Sequence, residues 1–538
     1  MSLAELTREF WAWRRATVPD SYDDITRVER QAGWLPDWSP AAVAARRDAV
    51  AGFAARYRTL DMSEEDIGTQ VDGRLLGSAL ARVHWELELV AAWRHNPRFY
   101  VDQALVGVYT VLLVPGPVDA ARATTVTALL RHVPAVLDAA RANLAGHAAR
   151  PFAVCTLRVL ADAGARLRTA MSALADAVPA SSRDALAGAA TTAAAALESY
   201  RDWLTTELPA CQEAAPVGPA AFGFFLHRVA LLPHTAVELR EMGRRGWDRS
   251  VATEAILRRR VTGEPPLLPD ADTQIAVQLA DERAVRRFLD EHGLLSQPDS
   301  LRRYRFGHLP AHLAPLTWLG VPHHAGGPSH VDDDAVRYVP APHGGLPYFQ
   351  LADARDPRVG IAHEGAHAQQ LALSWAHPNP VRRHYYDSAA NEGIAFYHEE
   401  LLLLAGLYED SPASALFVAN AMRLRCLRVE VDIALALGDL GLDEAADVLA
   451  SSVPMDRQTA WEEAVFFAGN PGQGLSFQTG KLQILDLLST AAARQGAEFD
   501  LRAFHDRLWR EGNVPLALQR WELLGLRDHL DRADELAG

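Results

Sequence analysis

Apolar residues recur every three or four positions along most of this chain, the spacing typical of amphipathic helices. The spacing is clear at 75–95 and 480–494. Ala139–Arg201 is rich in Ala, Leu and Arg, with few helix breakers besides Pro151 and Pro179. These features predict a mostly α-helical fold.

One stretch, residues 208–223, is low in charge and rich in Pro, Gly and Ala, as linkers often are. We therefore predict an N-terminal helical region at 1–207, a candidate linker at 208–223 and a C-terminal region at 224–538. The alternative is that the two regions pack as one continuous domain.

The pattern changes between about 303 and 352, where short β-like runs are separated by Pro, Gly and Asp. The runs are Arg303–Phe306, Val336–Val339 and Tyr348–Leu351. They predict a small sheet that could form one wall of a cleft. An edge strand of such a sheet can hold an extended substrate through main-chain hydrogen bonds.

Two helices are predicted after this sheet. Asp356 can cap the first and Pro357 suits its first turn, whereas Pro378-Asn379-Pro380 ends it. Asp387 or Ser388 can cap the second, which continues to about Leu407.

Composition narrows the possible partners and compartments. The 538 residues are 49% hydrophobic and 22% charged, with a net charge of −15 and no long basic run, which argues against nucleic acid or an anionic membrane as a partner. The N-terminal residues lack a signal-peptide pattern, and the three cysteines are far apart. We therefore expect a cytoplasmic protein, and the oligomeric state stays open.

The first predicted helix contains the sequence His363-Glu364-Gly365-Ala366-His367, an H-E-x-x-H pattern. Two histidines four residues apart on a helix project from one face and can share a metal ion, and Glu364 can serve as the base toward a metal-activated water. Glu392 follows His367 by 25 residues and suits a third ligand. A His2Glu set predicts one Zn²⁺ ion, so 224–538 becomes the metal-binding catalytic region.

Other residues are candidates for supporting roles. Glu399 lies on the same helix face as Glu392 and can orient a ligand histidine. Candidates for contact with the transition state or the substrate are His384, Tyr385, Tyr386, Lys481 and His505. Histidines are also concentrated nearby, because eleven of the 20 fall between 308 and 398. They either bind substrate or are ordinary loop residues.

Several motifs resemble a bacterial family named only as domain of unknown function 885, with a distant likeness to gluzincin-type zinc metallopeptidases. The resemblance is strongest from 361 to 518. It implies a mostly helical, metallopeptidase-like fold with a long cleft and a buried zinc held by His363, His367 and Glu392. The motifs are Ala362–Gly365, Asn391–Glu399, Gly406–Asp410, Pro471–Phe477, Phe504–Asp506 and Val514–Leu516.

The chain also departs from the family pattern. The family usually has two more residues between the histidines, a Tyr where this chain has Phe477, and a His where it has Ala436. A phenol and an imidazole are groups that can stabilise an oxyanion. Their absence favours a specialised substrate, or a reaction other than peptide hydrolysis, over ordinary peptide cleavage.

Three hypotheses follow. The leading one is a zinc-dependent hydrolase that acts on an amide or peptide-like bond of a small peptide-like or small-molecule substrate. The second is a metal-dependent tailoring enzyme of small-molecule metabolism, either a lyase or a non-peptide hydrolase. The third is a non-catalytic helical binding protein.

Overall fold

A computed structural model describes residues 2–20, 29–213 and 216–538. The chain is mostly α-helical with one small sheet, which confirms the predicted fold class. The helices of the N-terminal region are α1 (Leu3–Thr17), α2 (Pro40–Tyr57), α3 (Ile67–His84), α4 (Ala92–His95), α5 (Pro97–Leu113), α6 (Ala120–Leu144), α7 (Arg150–Ala175) and α8 (Ala180–Glu207).

The predicted breakers of the Ala-rich stretch lie at helix starts. Pro151 is in the first turn of α7 and Pro179 immediately precedes α8, positions where a missing backbone N–H leaves no intrahelical bond unmade. Helices α5 to α8 pack against one another through Leu, Val and Ala side chains. The apolar spacing therefore produced several antiparallel helices rather than one long one.

The candidate linker contains Ala214 and Ala215, which lie outside the described residues. Before them is a short 3₁₀ turn, Leu208–Ala210, and after them comes α9 (Gly218–Phe224). The largest apolar cluster is built mainly from α2 to α8 but also includes Leu518 and Leu530 near the end of the chain. The proposed division into two regions stays a prediction.

The C-terminal region contains the remaining helices. They are α10 (Ala236–Arg258), α11 (Ala271–Glu291), α12 (Tyr348–Asp353), α13 (Arg358–Gly360), α14 (Ala366–Trp375), α15 (Pro380–His384), α16 (Ser388–Ala405), α17 (Pro412–Leu437), α18 (Leu442–Ser452), α19 (Arg457–Gly469), α20 (Gln473–Gln495), α21 (Leu501–Glu511), α22 (Leu516–Leu524) and α23 (Asp528–Ala537). No helix in the described part of the chain has the length and apolarity that a membrane span requires.

The small sheet has three strands, β1 (Tyr304–His308), β2 (His323–His324) and β3 (Ala335–Val339), in the order β1-β3-β2. Strand β3 pairs in parallel with β1 and antiparallel with β2. The prediction of a third strand at Tyr348–Leu351 is wrong, because these residues form part of α12. Its aromatic residues pack against Phe417 of α17 instead of a strand, so tertiary packing overrides their β propensity.

The H-E-x-x-H segment is helical but is not a regular α-helix. Helix α13, a π-helical turn at Ile361–Gly365 and α14 follow one another without a break. The residue that precedes α13 is Pro357, so Asp356 is not its N-cap as predicted, although its side chain accepts a hydrogen bond from the N–H of Arg358. The helix ends at Trp375, before the Pro-Asn-Pro segment. Such π turns often occur at functional sites, because they re-aim side chains within a helix.

Helices α16 and α20 cross at very close range. The crossing places Gly393 against Gly480, and a Cβ built on Gly480 would lie 1.8 Å from the carbonyl oxygen of Ala389. The Asp387 side chain caps α16, as predicted, by accepting from the N–H of Ala390. This contact fixes the position of α16, which carries Glu392, beside the π turn.

Candidate metal centre

Three side chains converge between the π turn and α16. One ligand atom each from His363, His367 and Glu392 lies within 4.8 Å of the others. The Nε2 atoms of both histidines are 3.5 Å from the same Glu392 carboxylate oxygen. The structure therefore brings together the three residues that the sequence predicted as ligands.

All three ligand candidates are largely buried, and their charges depend on one another. Burial alone lowers the pKa of His363, but hydrogen bonds with Glu392 and Glu399 outweigh it and raise the pKa to about 9. Burial alone raises the pKa of Glu392, but His367 and His363 outweigh it and hold the pKa well below its usual range. Each side chain thus keeps the others in place.

The donor set fits a zinc ion. Two imidazole nitrogens and one carboxylate oxygen form a set that zinc binds in catalytic sites. The Nδ1–H of His363 donates to Glu399 at 2.7 Å, so Nε2 is the nitrogen that would bind the metal once it has lost its proton. One candidate metal-binding triad is therefore present in the described part of the chain.

Glu399 lies behind His363, where the sequence placed it as an orienting residue. Besides its contact with His363, it accepts a hydrogen bond from Arg425 of α17 at 3.0 Å. The side chains of Glu399 and Arg425 are only 4% and 5% exposed, so solvent screens this chain of contacts weakly. A ligand histidine held in this way keeps one tautomer and one ring orientation.

Glu364 follows His363 in sequence, and its side chain faces the sheet. One of its carboxylate oxygens is 3.3 Å from Arg337 of β3, and the other is 3.6 Å from His323 of β2. Burial alone raises the pKa of Glu364, but Arg337 and then the neighbouring histidines lower it to about 2. Glu364 is therefore ionised at neutral pH, as a base must be.

Arg337 and His323 are contacts that residue-by-residue sequence reasoning missed. The concentration of histidines between 308 and 398 was the one available signal for His323. Arg337 had no such signal, because arginine occurs throughout the chain. Burial lowers the pKa of His323 to about 4 despite the nearby Glu364, so at neutral pH this imidazole is neutral.

Of the five predicted transition-state candidates, four have contacts in the structure with residues outside the triad. Tyr385 is buried with its hydroxyl bonded to Ser78, and the His384 ring lies against Trp11. Lys481 donates to Glu400 at 2.8 Å.

The remaining two are His505 and Tyr386. His505 donates to the carbonyl of Leu294 and accepts from the hydroxyl of Tyr397. Tyr386 lies between α15 and α16. Their roles in catalysis, like those of the other three, stay untested predictions.

Of the three departures from the family pattern, the two substituted residues, Phe477 and Ala436, lie in different places. The ring of Phe477 on α20 stacks on that of His363, with centroids 6.2 Å apart and planes inclined by 17°. Ala436 is buried in an apolar cluster with Phe225 and Leu475. Only Phe477 is in direct contact with the triad.

A family model described as "Bacterial protein of unknown function (DUF885)" matches residues 24–301 and 357–523, most of the chain. The matched segments include every member of the triad and Glu364. No curated protein sequence matches the chain.

Two solved structures share the fold over essentially their whole length. One is a proposed lipoprotein of unknown function from Shewanella oneidensis, with a TM-score of 0.70 and 16% identity, covering 97% of this chain and 100% of that one. The other is a proposed lipoprotein from Colwellia psychrerythraea, with a TM-score of 0.73 and 15% identity, covering 99% of both chains. At these identities the likeness shows the fold alone.

A third structure, a proposed oligoendopeptidase F from Bacillus anthracis str. Ames, has a TM-score of only 0.30 at 13% identity, covering 92% of this chain and 88% of that one. This score is too low to support any argument about function.

The prediction of a cytoplasmic location is contradicted by the two full-length relatives, which are both described as lipoproteins. Composition could not settle this point. A lipid anchor needs no change in the folded surface, and the three cysteines, all buried and unpaired, are compatible with either compartment.

Proposed function

We propose that this chain, which belongs to the bacterial family DUF885, is a zinc-dependent hydrolase that cleaves an amide or peptide-like bond in a small substrate. One observation carries the proposal. A His2Glu ligand set lies in a largely buried site beside an ionised glutamate, Glu364, which follows the first ligand in sequence and whose pKa is lowered in part by both ligand histidines.

The residues divide the work of hydrolysis between them. His363, His367 and Glu392 would hold one zinc ion, which when bound polarises a carbonyl and makes water more acidic. Glu364 accepts a proton from the attacking water and passes it to the leaving nitrogen. Glu399 keeps His363 in the tautomer that presents Nε2.

Arg337 and His323 support Glu364 from the sheet. The Arg337 guanidinium stays protonated and fixes the carboxylate by its charge, at 3.3 Å from the nearest oxygen. Its position next to the base also makes it a donor for negative charge that develops on a substrate oxygen. This role replaces the phenol that Phe477 does not supply.

The test combines metal analysis with hydrolysis of a diverse peptide and amide library. The wild-type protein should retain about one zinc per chain, and His363→Ala should lose it, whereas Glu364→Gln should keep the metal but lose activity by about 10²–10⁴-fold. His308→Ala is the matched control, because this histidine is 62% exposed and pairs with Asp272. Full zinc occupancy in His363→Ala would contradict the metal site.

A second candidate is a metal-dependent tailoring enzyme, a lyase or a non-peptide hydrolase, and Phe477 is the observation that favours it. This ring covers His363 and offers no hydrogen-bond donor at a position where the family usually has a phenol. The tailoring hypothesis gains support if the zinc-loaded protein cleaves no member of the peptide library. Restored peptide cleavage in Phe477→Tyr would support an ancestral peptidase site.

A further inference from the structure

A small cavity is lined by Arg337, which also contacts Glu364, the proposed base. Its polar lining comes from Gln274 and Gln278 of α11, Arg337 of β3, Gln350 of α12, and Asp353. The Arg337 guanidinium belongs to both places, since one nitrogen is 3.3 Å from Glu364 and another is 3.5 Å from Asp353. A group bound in this cavity therefore lies one side chain away from the proposed base.

Two buried amides in the cavity wall are incompletely bonded. Gln274 and Gln278, one helical turn apart on α11, are 3% and 2% exposed. The side-chain carbonyl oxygens of both have no hydrogen-bond partner among the described residues. An unpaired buried amide oxygen costs about 1–3 kcal/mol, and rotating the amide can turn either its oxygen or its nitrogen toward a ligand.

The size of the cavity restricts what can enter it. Its volume is about 10 Å³, close to what one water molecule needs. The cavity therefore admits at most the tip of a small planar group and excludes a bulky side chain.

We propose that this cavity is a specificity pocket that binds a terminal carboxamide of the substrate. The carboxamide NH₂ group donates to Gln274 and Gln278, and its carbonyl oxygen accepts from Arg337. The inference rests on the proposed function, because it concerns a substrate held beside Glu364.

Other head groups match the lining less well. An ammonium group could donate to the glutamine oxygens and to Asp353 but offers no acceptor for Arg337, whereas a carboxylate would be repelled by Asp353 and would leave the glutamine oxygens without donors. An apolar group would leave both glutamines unpaired. A carboxamide has the required donors and acceptor together, without net charge.

The probes for the test are amino-acid hydroxamates, whose hydroxamate group binds zinc and whose side chains differ. Calorimetry on the zinc-loaded full chain compares the asparagine and glutamine hydroxamates with those of aspartate, glutamate and leucine. We expect the better amide probe to bind about tenfold more tightly than its matched acid and than leucine, the ratio that one or two neutral hydrogen bonds supply.

Variants locate the preference. In Gln278→Leu the advantage of the amide probe should fall to about twofold or less, whereas the matched control Gln519→Leu, a buried glutamine that bonds Val514, should keep it. Equal binding of amide and leucine probes to the wild-type protein would overturn the pocket and leave the metal site intact. Equal binding of every probe to wild type and His363→Ala would overturn both proposals.

Discussion

The N-terminal helices and the helices around the triad differ in what they bury. Helices α6, α7 and α8 meet through side chains such as Leu137, Leu167 and Ala193, which are almost completely excluded from solvent. Helices α16, α17 and α20 bury ion pairs as well as apolar side chains, including Lys481 with Glu400 and Arg425 with Glu399.

This difference separates stability from positioning. Burial of apolar surface stabilises a fold by about 25 cal/mol per Å². A buried ion pair gains little net free energy, because desolvation offsets most of its Coulomb attraction, but it fixes the geometry of the groups involved. The N-terminal helices should therefore supply folding free energy, and the C-terminal helices should hold the triad in shape.

The largest expected effect on stability lies in the N-terminal region. Leu137→Ala in α6 should lower the free energy of unfolding by about 2–5 kcal/mol, because the Leu137 side chain is fully buried and its loss leaves a cavity. Urea denaturation measures this loss, and metal analysis of the folded variant should still find one zinc. If the folded variant lost zinc in the absence of denaturant, the N-terminal helices would not act on stability alone.

The next largest effect on stability is expected where α16 and α20 cross at Gly393 and Gly480. Gly480→Ala should destabilise the protein by about 1–3 kcal/mol, because its Cβ would clash with backbone rather than with a movable side chain. It should also weaken zinc binding, since α16 carries Glu392. The control Gly188→Ala in α8 meets no atom within 4 Å and should stabilise by about 0.5–1 kcal/mol. Unchanged stability of Gly480→Ala would refute the close contact.

The contact behind His363 should affect the metal more than the fold. Glu399→Gln should weaken zinc affinity by about 10–100-fold, because the neutral amide holds the imidazole less firmly and leaves Arg425 without its charged partner. Competition with a chromophoric chelator measures this change. If zinc affinity is unchanged, Glu399 does not position the ligand.

The last expected effect concerns pH and Asp432 of α17. Its carboxylate accepts from the N–H groups of Gly472 and Leu475, at 2.9 Å each, yet burial raises its pKa to about 7. The folded pKa is above the unfolded one, so the stabilising contribution is complete below about pH 4 and is lost as pH rises toward 7.

Denaturation of wild type and Asp432→Asn between pH 4 and 8 isolates this group. The wild type should lose stability relative to the variant across that interval, by about 1.36 kcal/mol for each unit by which the folded pKa exceeds the unfolded one. A difference that does not vary with pH would show that Asp432 is already ionised in the folded state near pH 4.

Local signals in the sequence predicted much of the architecture. Asp387 is correctly assigned to a helix start, because a capping carboxylate acts within one turn. The breakers Pro151 and Pro179 do interrupt the Ala-rich stretch, and both lie at helix starts. The run at Tyr348 was assigned to a strand and is helical, because contacts with α17 outweigh local propensity.

The sequence by itself determined the mostly helical fold, the pair of histidines and the candidacy of Glu392, since each depends on spacing along one or two neighbouring helices. Only the tertiary structure decided that Arg337 and His323 face Glu364, that Arg425 supports Glu399 and that two glutamines of α11 line a cavity nearby. These residues are brought together by the packing of the sheet and distant helices. Such contacts leave no periodic pattern, because each depends on where whole elements come to lie.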